Sequence, residues 1–356
     1  MTVAIHQIVD TLAPGSAVSN CVLAVKEILH KAGILSGIHA AAWEKGVGRQ
    51  RSPRRRAERT LWLYHFSVGS PLTVWAERHA KPGELVLWYH NLTPPDYFAA
   101  VDPLLAARLI SGREEVRRLA DRTCGAIADS AFNAAELAEL GYRDVQIVPP
   151  VFFQARYRIP PPPSLLSQYR GGGPNWLFVG RLVPNKAQTE VIAAFHAYKR
   201  LAPAARLFLV GEEGASRAYR RWLENQVAFL GLQADVVLVG QVSQAELNGY
   251  YQLADCFVSM SEHEGFGVPL VEAMYFDVPV IAYDAAAVSE TLGGAGVLLR
   301  DRDPYLVAEV VDVVLRDEVL RRAIIARQRQ RLADFAYEKV AAQLLAAVQH
   351  MLQGIA

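Results

Sequence analysis

The 356 residues are enough for two domains of ordinary size. Hydrophobic residues at 52% and charged residues at 21% exclude a disordered chain, and a net charge of +1 argues neither for nucleic acid nor against it; no such partner is expected. No stretch reaches the roughly 18 uncharged apolar residues of a membrane span, and MTVAIHQIVD lacks the basic and apolar regions of a signal peptide.

In chain order, the first half reads as strands at Ala4–Val9, Leu61–Phe66, Leu85–Tyr89, Gly125–Ala128 and Val145–Val148, with helices at Asn20–Lys31, Phe98–Ile110 and Asn133–Leu140. Between Lys45 and Arg59, seven basic residues meet one acidic residue, Glu58. Pro53 sits among them, so Arg49–Arg59 is expected to be an exposed loop or the fraying start of a helix. It is either a solvated loop or a contact for an anionic membrane surface or a lipid-diphosphate-linked acceptor near the cleft. Cys21, Cys124 and Cys256 lie beside apolar residues without metal-ligand spacing, which points to buried, inert thiols in a reduced cytosol. Pro160–Pro163 and Gly171–Gly173 bracket a stiff and then flexible linker. The expected division is 1–165, 172–335, and a C-terminal helix at 336–356 packing back on the first domain.

The second half is more regular. Trp176–Gly180, Leu207–Gly211 and Val236–Gly240 are apolar runs that each end in Val-Gly, and Cys256–Met260 and Pro279–Tyr283 continue the series. Helix-like stretches at Ala187–Lys199, Ser216–Phe229 and Ser243–Leu253 separate them, the last opening on the capping box Ser243/Glu246. Strands apolar at every position and separated by helices form a parallel sheet covered on both faces. The fold class is therefore α/β, with two Rossmann-like doubly wound domains and a cleft between their carboxyl edges, where such sheets hold ligands. No strand is followed by G-x-G-x-x-G, which excludes a dinucleotide dehydrogenase.

Ser261–Met274 directly follows a buried strand, and Pro269 is suited to the first turn of a helix. Gly265, Phe266 and Gly267 then form a loop into a helix N-terminus, whose free N–H groups and dipole favour an anion. Glu264 and Glu272 are placed to accept hydroxyl hydrogen bonds on either side of a diphosphate. On spacing alone, a surface helix with two solvated glutamates fits as well. Arg181 and Lys186, in the loop after Trp176–Gly180, add two cations at the same sheet edge, where a diphosphate leaving group develops charge. Asp301-Arg302-Asp303 has the spacing of a metal-binding D-x-D, but Asp303 is read as a helix cap and no metal or other cofactor is assigned.

The runs GRLVPNK and EGFGVPLVEAM, together with QVSQAELNGYYQLADCFVSMSEHEGFG, resemble the signatures of the family 4 retaining glycosyltransferases of the GT-B fold. Glu264 and Glu272 match that family's E-x7-E pair, and the resemblance covers nearly all of 175–300. It implies transfer of a hexose from a GDP- or UDP-sugar to a glycan or lipid-linked acceptor, with retained anomeric configuration and no metal. The setting it implies is bacterial cell-surface polysaccharide synthesis, in the cytoplasm or peripherally on the inner face of the membrane. It further implies that Arg181 and Lys186 bind the diphosphate with backbone help from Phe266 and Gly267. Glu264 would hold the donor sugar, Glu272 the ribose, and Val242 would lie beside the nucleobase. One departure is Phe276-Asp277-Val278-Pro279, where relatives often have a Cys-Gly-Thr-Pro-like turn.

For the first half, the turn Ala13–Asn20 resembles the family's glycine loop, with Gly15 and Ser16 facing donor phosphate and acceptor; a plain helix cap by Ser19 fits equally. His90 matches a position where relatives place a histidine near the donor sugar and joins Arg181, Lys186 and Glu264 as a catalytic candidate. Asn91, Ser130 and Asn133 are candidates for the acceptor side. The alternatives are a sugar phosphorylase or NDP-sugar-converting enzyme on the same fold, and a non-catalytic glycan-binding subunit.

Overall fold

The computed structural model describes residues 3–44, 59–214 and 217–353. The basic run from Lys45 to Glu58, and Ser216 at the start of an expected helix, lie outside the described residues. In chain order the elements are β1 (Val3–Leu12), α1 (Ala17–Lys31), β2 (Leu35–Trp43), β3 (Arg59–Phe66), α2 (Leu72–His79), β4 (Leu85–Tyr89), α3 (Pro103–Leu119), β5 (Gly125–Ala128), α4 (Ala131–Glu139) and β6 (Val145–Ile147). There follow α5 (Gln154–Tyr157), α6 (Pro163–Tyr169), β7 (Asn175–Val179), α7 (Gln188–Tyr198), β8 (Arg206–Val210), α8 (Ala218–Phe229), β9 (Val236–Gly240) and α9 (Gln244–Leu253). The rest are β10 (Cys256–Ser259), α10 (Val268–Tyr275), β11 (Val280–Tyr283), α11 (Val288–Leu292), β12 (Val297–Leu299), α12 (Pro304–Arg316), α13 (Glu318–Leu332) and α14 (Tyr337–Gln353).

The chain forms two compact units. The first comprises 1–96, 104–153 and 335–356, the second 97–103 and 154–334. Each is built on a six-stranded parallel sheet, ordered β2-β1-β3-β4-β5-β6 in the first and β12-β11-β10-β7-β8-β9 in the second. Both orders are doubly wound, so the chain reverses its direction of travel beside β1 in one sheet and between β7 and β10 in the other. The division falls after Phe153, ahead of the expected boundary at 165. Asn248 explains this: its Nδ2 donates to Arg156 O at 3.0 Å and Ile159 O at 2.8 Å, fastening the proline-rich segment to α9.

Burial explains which strands form. Trp88 and Tyr89 of β4, and Trp176, Leu177 and Phe178 of β7, are at most 1% exposed, and central strands must be apolar on both faces. In the first unit, α1 presents Cys21, Val25, Ile28 and Leu29 to the sheet, and α14 presents Val340, Leu344, Ala347, Val348 and Met351 to the same core. Three expectations need correcting. The helix expected at Phe98–Ile110 begins at Pro103, because a proline inside a helix removes a hydrogen bond and clashes with the preceding turn, whereas the first turn tolerates it. The N-cap of α1 is Ser16, whose Oγ accepts from Ser19 N. Ser19 Oγ instead accepts from Ala13 N at 2.9 Å. Cys124 is only half-buried, although all three thiols are free and burial raises each, Cys124 to about 11.

The capping box forms as expected: Ser243 N donates to Glu246 Oε2 at 2.8 Å, and Glu246 N to Ser243 Oγ at 3.3 Å. Asp303 caps α12 by accepting from Tyr305 N and Leu306 N. Asp277 takes the left-handed conformation at φ 58°, and the Arg329 guanidinium grips its carboxylate with two bonds of 2.7 and 2.6 Å. Among the described residues, no helix is long and apolar enough to cross a membrane.

Candidate active site

In the second unit, β7 and β10 are neighbours at the reversal point, and the loops leaving their carboxyl ends carry the two motifs. Gly211, at the end of adjacent β8, lets the strand ends close together: a Cβ there would lie 2.0 Å from Gly180 O. Arg181 is exposed, and among the described residues no partner holds its guanidinium; its carbonyl accepts from Gln188 Nε2 at 2.7 Å. A short 3-10 turn, Pro184–Lys186, follows, and Ala187 at φ 47° turns the chain into α7. Glu262 N donates to Asn185 O at 2.9 Å, and Asn185 Nδ2 to His263 O at 3.2 Å, so the two loops are sewn together. Lys186 Nζ thereby lies 2.6 Å from Glu264 Oε1, the two side chains 19% and 14% exposed.

Gly267, at φ 91°, swings the chain into α10, which begins at Val268 with Pro269 second. The N–H groups of the first turn and the positive end of the helix dipole therefore lie a few residues from Glu264. Thr291 Oγ1 donates to Phe266 O, and Ala287 N to Glu264 O at 3.1 Å, pinning the loop from α11. Glu272, one turn into α10, is 7% exposed. Its Oε1 accepts from Tyr157 Oη and its Oε2 from Tyr251 Oη, each at 2.7 Å. Burial pushes the Glu272 carboxyl above its ordinary range, while the two tyrosine hydroxyls and nearby Arg156 pull it back. Val242, after β9, is half-buried against the core that contains Leu270 and Tyr250.

Sequence reasoning missed Tyr157 and Tyr251. Tyr251 had a visible signal: it follows Tyr250 in a helix ending just before the apolar strand β10. Tyr157 had none, because its partner lies far along the chain.

In the first unit, Gly15 (φ 79°) is exposed with open space where a Cβ would project, and the Ser16 Oγ accepts from Ser19 N as the cap of α1. His90 is held in a buried chain of hydrogen bonds. Its Nδ1 is 2.8 Å from Asp129 Oδ2 and its Nε2 is 2.8 Å from His65 Nδ1. His65 Nε2 lies 2.9 Å from Gln7 Oε1, and Trp88 Nε1 donates to Asp129 Oδ1 at 2.8 Å. The two imidazoles lie nearly coplanar, 7° from parallel with centroids 5.1 Å apart, and the His90 side chain is 3% exposed. Asn91 (φ 78°) donates to Asn133 Oδ1 at 2.9 Å, and Ser130 caps α4 by accepting from Asn133 N. These three residues brace one another in the interior, where Asn133 is fully buried.

Cys21 Sγ and the His65 and His90 imidazoles lie within 4.8 Å of one another, a donor set that suits zinc by composition. Every ring nitrogen of the two histidines is already hydrogen-bonded, however, and burial keeps the thiol protonated, so the set does not fit an ion as it stands.

Burial first, and then the neighbouring His90, push His65 well below the ordinary histidine range. A histidine lowered on folding gives its full stabilising contribution above the unfolded-state value, near 6.5, and loses it as pH falls. Urea unfolding should therefore show wild type losing up to about 1.4 kcal/mol per pH unit below pH ~6.5 through this group. His65→Gln should flatten that slope; an unchanged slope would remove His65 as its source.

Residues 168–331 match the family described as "Glycosyl transferases group 1". The chain is 30% identical to D-inositol 3-phosphate glycosyltransferase of Kineococcus radiotolerans, over 86% of this chain and 75% of that one. It is 27% identical to the GDP-mannose-dependent alpha-(1-6)-phosphatidylinositol monomannoside mannosyltransferase of Mycobacterium tuberculosis, over 83% and 77%. In fold it is similar to sucrose-phosphate synthase from Thermosynechococcus elongatus (TM-score 0.77, 20% identity, covering 99% of this chain and 100% of that one). It is also similar to Anabaena Alr3699/HepE, solved with UDP-glucose (TM-score 0.74, 19% identity, covering 97% and 99%). With the two motif loops sewn together at the reversal point of the second sheet, and a curated relative at this level of identity, the chain belongs to the group 1 glycosyltransferases.

Proposed function

We propose that the second unit binds a nucleoside-diphosphate sugar and that the enzyme transfers its hexose with retained configuration, without a metal ion, as a member of family 4. The observation that carries this reading is the joint placement of exposed Arg181, the Lys186–Glu264 pair and the Gly267-led helix N-terminus at one edge of one sheet. Two cations and the positive end of the α10 dipole supply the charge stabilisation a departing diphosphate needs, which is the work a divalent ion does elsewhere. Glu264, adjoining the phosphate site, is the sugar reader in this account, and Glu272, deeper in α10, the ribose reader. A relative named as GDP-mannose-dependent and a neighbour solved with UDP-glucose support a nucleotide-sugar donor. Slow hydrolysis of UDP-glucose or GDP-mannose, with water as the acceptor, followed at once by proton NMR of the anomer of the released sugar, tests the chemistry. Retention undiminished by EDTA is expected, and an inverted anomer or loss of turnover in EDTA overturns that part.

The acceptor in this reading is a glycan or a lipid-linked sugar at an anionic membrane surface, as relatives in capsular polysaccharide and phosphatidylinositol mannoside synthesis suggest. Charge within Arg49–Arg59 supports it, since each cation near an anionic bilayer contributes about 1 kcal/mol. Co-sedimentation with anionic vesicles should fall at high salt and largely vanish when Arg51, Arg54, Arg55 and Arg56 are changed to Gln. A quadruple variant that sediments like wild type removes the membrane role.

A further inference from the structure

We infer that Tyr157 and Tyr251 are positioning residues of the nucleotide site, orienting the Glu272 carboxylate so that one lone pair on each oxygen stays open to a vicinal diol. The inference rests on the donor reading above. Glu272 differs from Glu264 in its company. Glu264 is paired with a cation, whereas among the described residues no cation bonds to Glu272. A buried carboxylate would ordinarily be neutralised by an ion pair or by taking up a proton. Here two neutral hydroxyls hold it instead, one on each oxygen, at the short distance of charge-assisted bonds. A carboxylate offers about four lone-pair directions, and the tyrosines occupy two of them. A cation would have competed for the rest; hydroxyl donors do not.

Both donors are rigidly placed. The Tyr251 ring stacks on Phe276 at 5.2 Å, 3° from parallel. The Tyr157 ring packs on Tyr275 at 5.5 Å and on Phe276 at 6.1 Å. Tyr157 ends α5, and the segment around it is fastened to α9 by Asn248. The titratable or charged groups facing Glu272 are thus Tyr157 and Arg156 from α5 and Tyr251 from α9. Burial and the adjacent carboxylate push both phenols well above their ordinary range, so they stay donors throughout the physiological range. Removing either hydroxyl leaves the carboxyl with one fewer group favouring its charged form.

The test is calorimetric titration of UDP, GDP and ADP from pH 5 to 8, with the tightest-binding nucleotide compared with its 2′-deoxy form. Wild type should prefer the ribonucleotide. Tyr157→Phe and, independently, Tyr251→Phe should weaken it by about tenfold or more near neutrality, as expected for one hydrogen bond to a charged group. In both variants, affinity should be lost at a higher pH on acidification than in wild type, and the preference over the deoxy form should shrink. A packing role alone would lower affinity equally at every pH and leave that preference intact. Parallel pH profiles with undiminished preference in both variants overturn the proposal. A wild type that binds none of the three nucleotides overturns the donor reading, and this proposal with it.

Discussion

Lys186→Ala should lower sugar-transfer turnover by about 10²–10³-fold, the loss expected when one preorganised stabiliser of a developing anion is removed. The ammonium sits 2.6 Å from Glu264 in a mostly covered setting, so its position is set before any donor arrives. Arrival of a diphosphate divides that charge between Glu264 and the phosphate oxygens. Removing the lysine costs twice, because the attraction is lost and Glu264 becomes an unpaired anion facing the incoming phosphates. The double variant Lys186→Ala/Glu264→Gln should therefore recover part of the lost nucleotide affinity, a non-additivity expected of contacting residues. Arg181→Ala should cut turnover similarly, but without that coupling to Glu264. Turnover within about threefold of wild type in both single variants would remove the diphosphate role.

Glu272→Gln should weaken binding of the nucleoside diphosphate alone by about 1.5–3 kcal/mol, roughly ten- to a hundredfold. Glutamine is the informative replacement. Alanine would orphan two buried tyrosine hydroxyls at about 1–3 kcal/mol each and confuse binding with stability. Glu264→Gln should spare nucleotide affinity and damage transfer, because the sugar reader acts on the other side of the diphosphate. Calorimetry and turnover in the reverse pattern would mean that the two carboxylates have exchanged roles.

The central strands were legible in the chain because they are apolar on both faces: WLFV, LFLV and LVLWY are short continuous apolar runs between turn or polar residues, too short for a buried helix. The edge strand β2 was not, since Gly37, His39 and Ala40–Ala42 give neither alternation nor a continuous apolar run, and pairing with β1 decides its state. At the start of α3, apolar periodicity extends past the true boundary, which Pro103 sets. At the site, Arg181, Lys186, Glu264 and Glu272 could be named because loop residues after β7 and β10 are confined to one sheet edge whatever the details. What periodicity cannot show is a contact between distant segments. The Tyr157–Glu272 bond and the Gln7–His65–His90–Asp129 chain join residues brought together only by the folded sheets. Ser16 makes a local contact instead, its Oγ accepting from Ser19 N at the start of α1.

The most direct test of the donor site is calorimetric titration of UDP, GDP and ADP into wild type and into Arg181→Ala/Lys186→Ala. At least one nucleotide should bind wild type, and the double variant should bind it at least about a hundredfold more weakly, the loss of two contacts to a charged group. No binding to wild type, or equal binding to both proteins, would contradict a nucleotide-sugar site at the carboxyl edge of the second sheet.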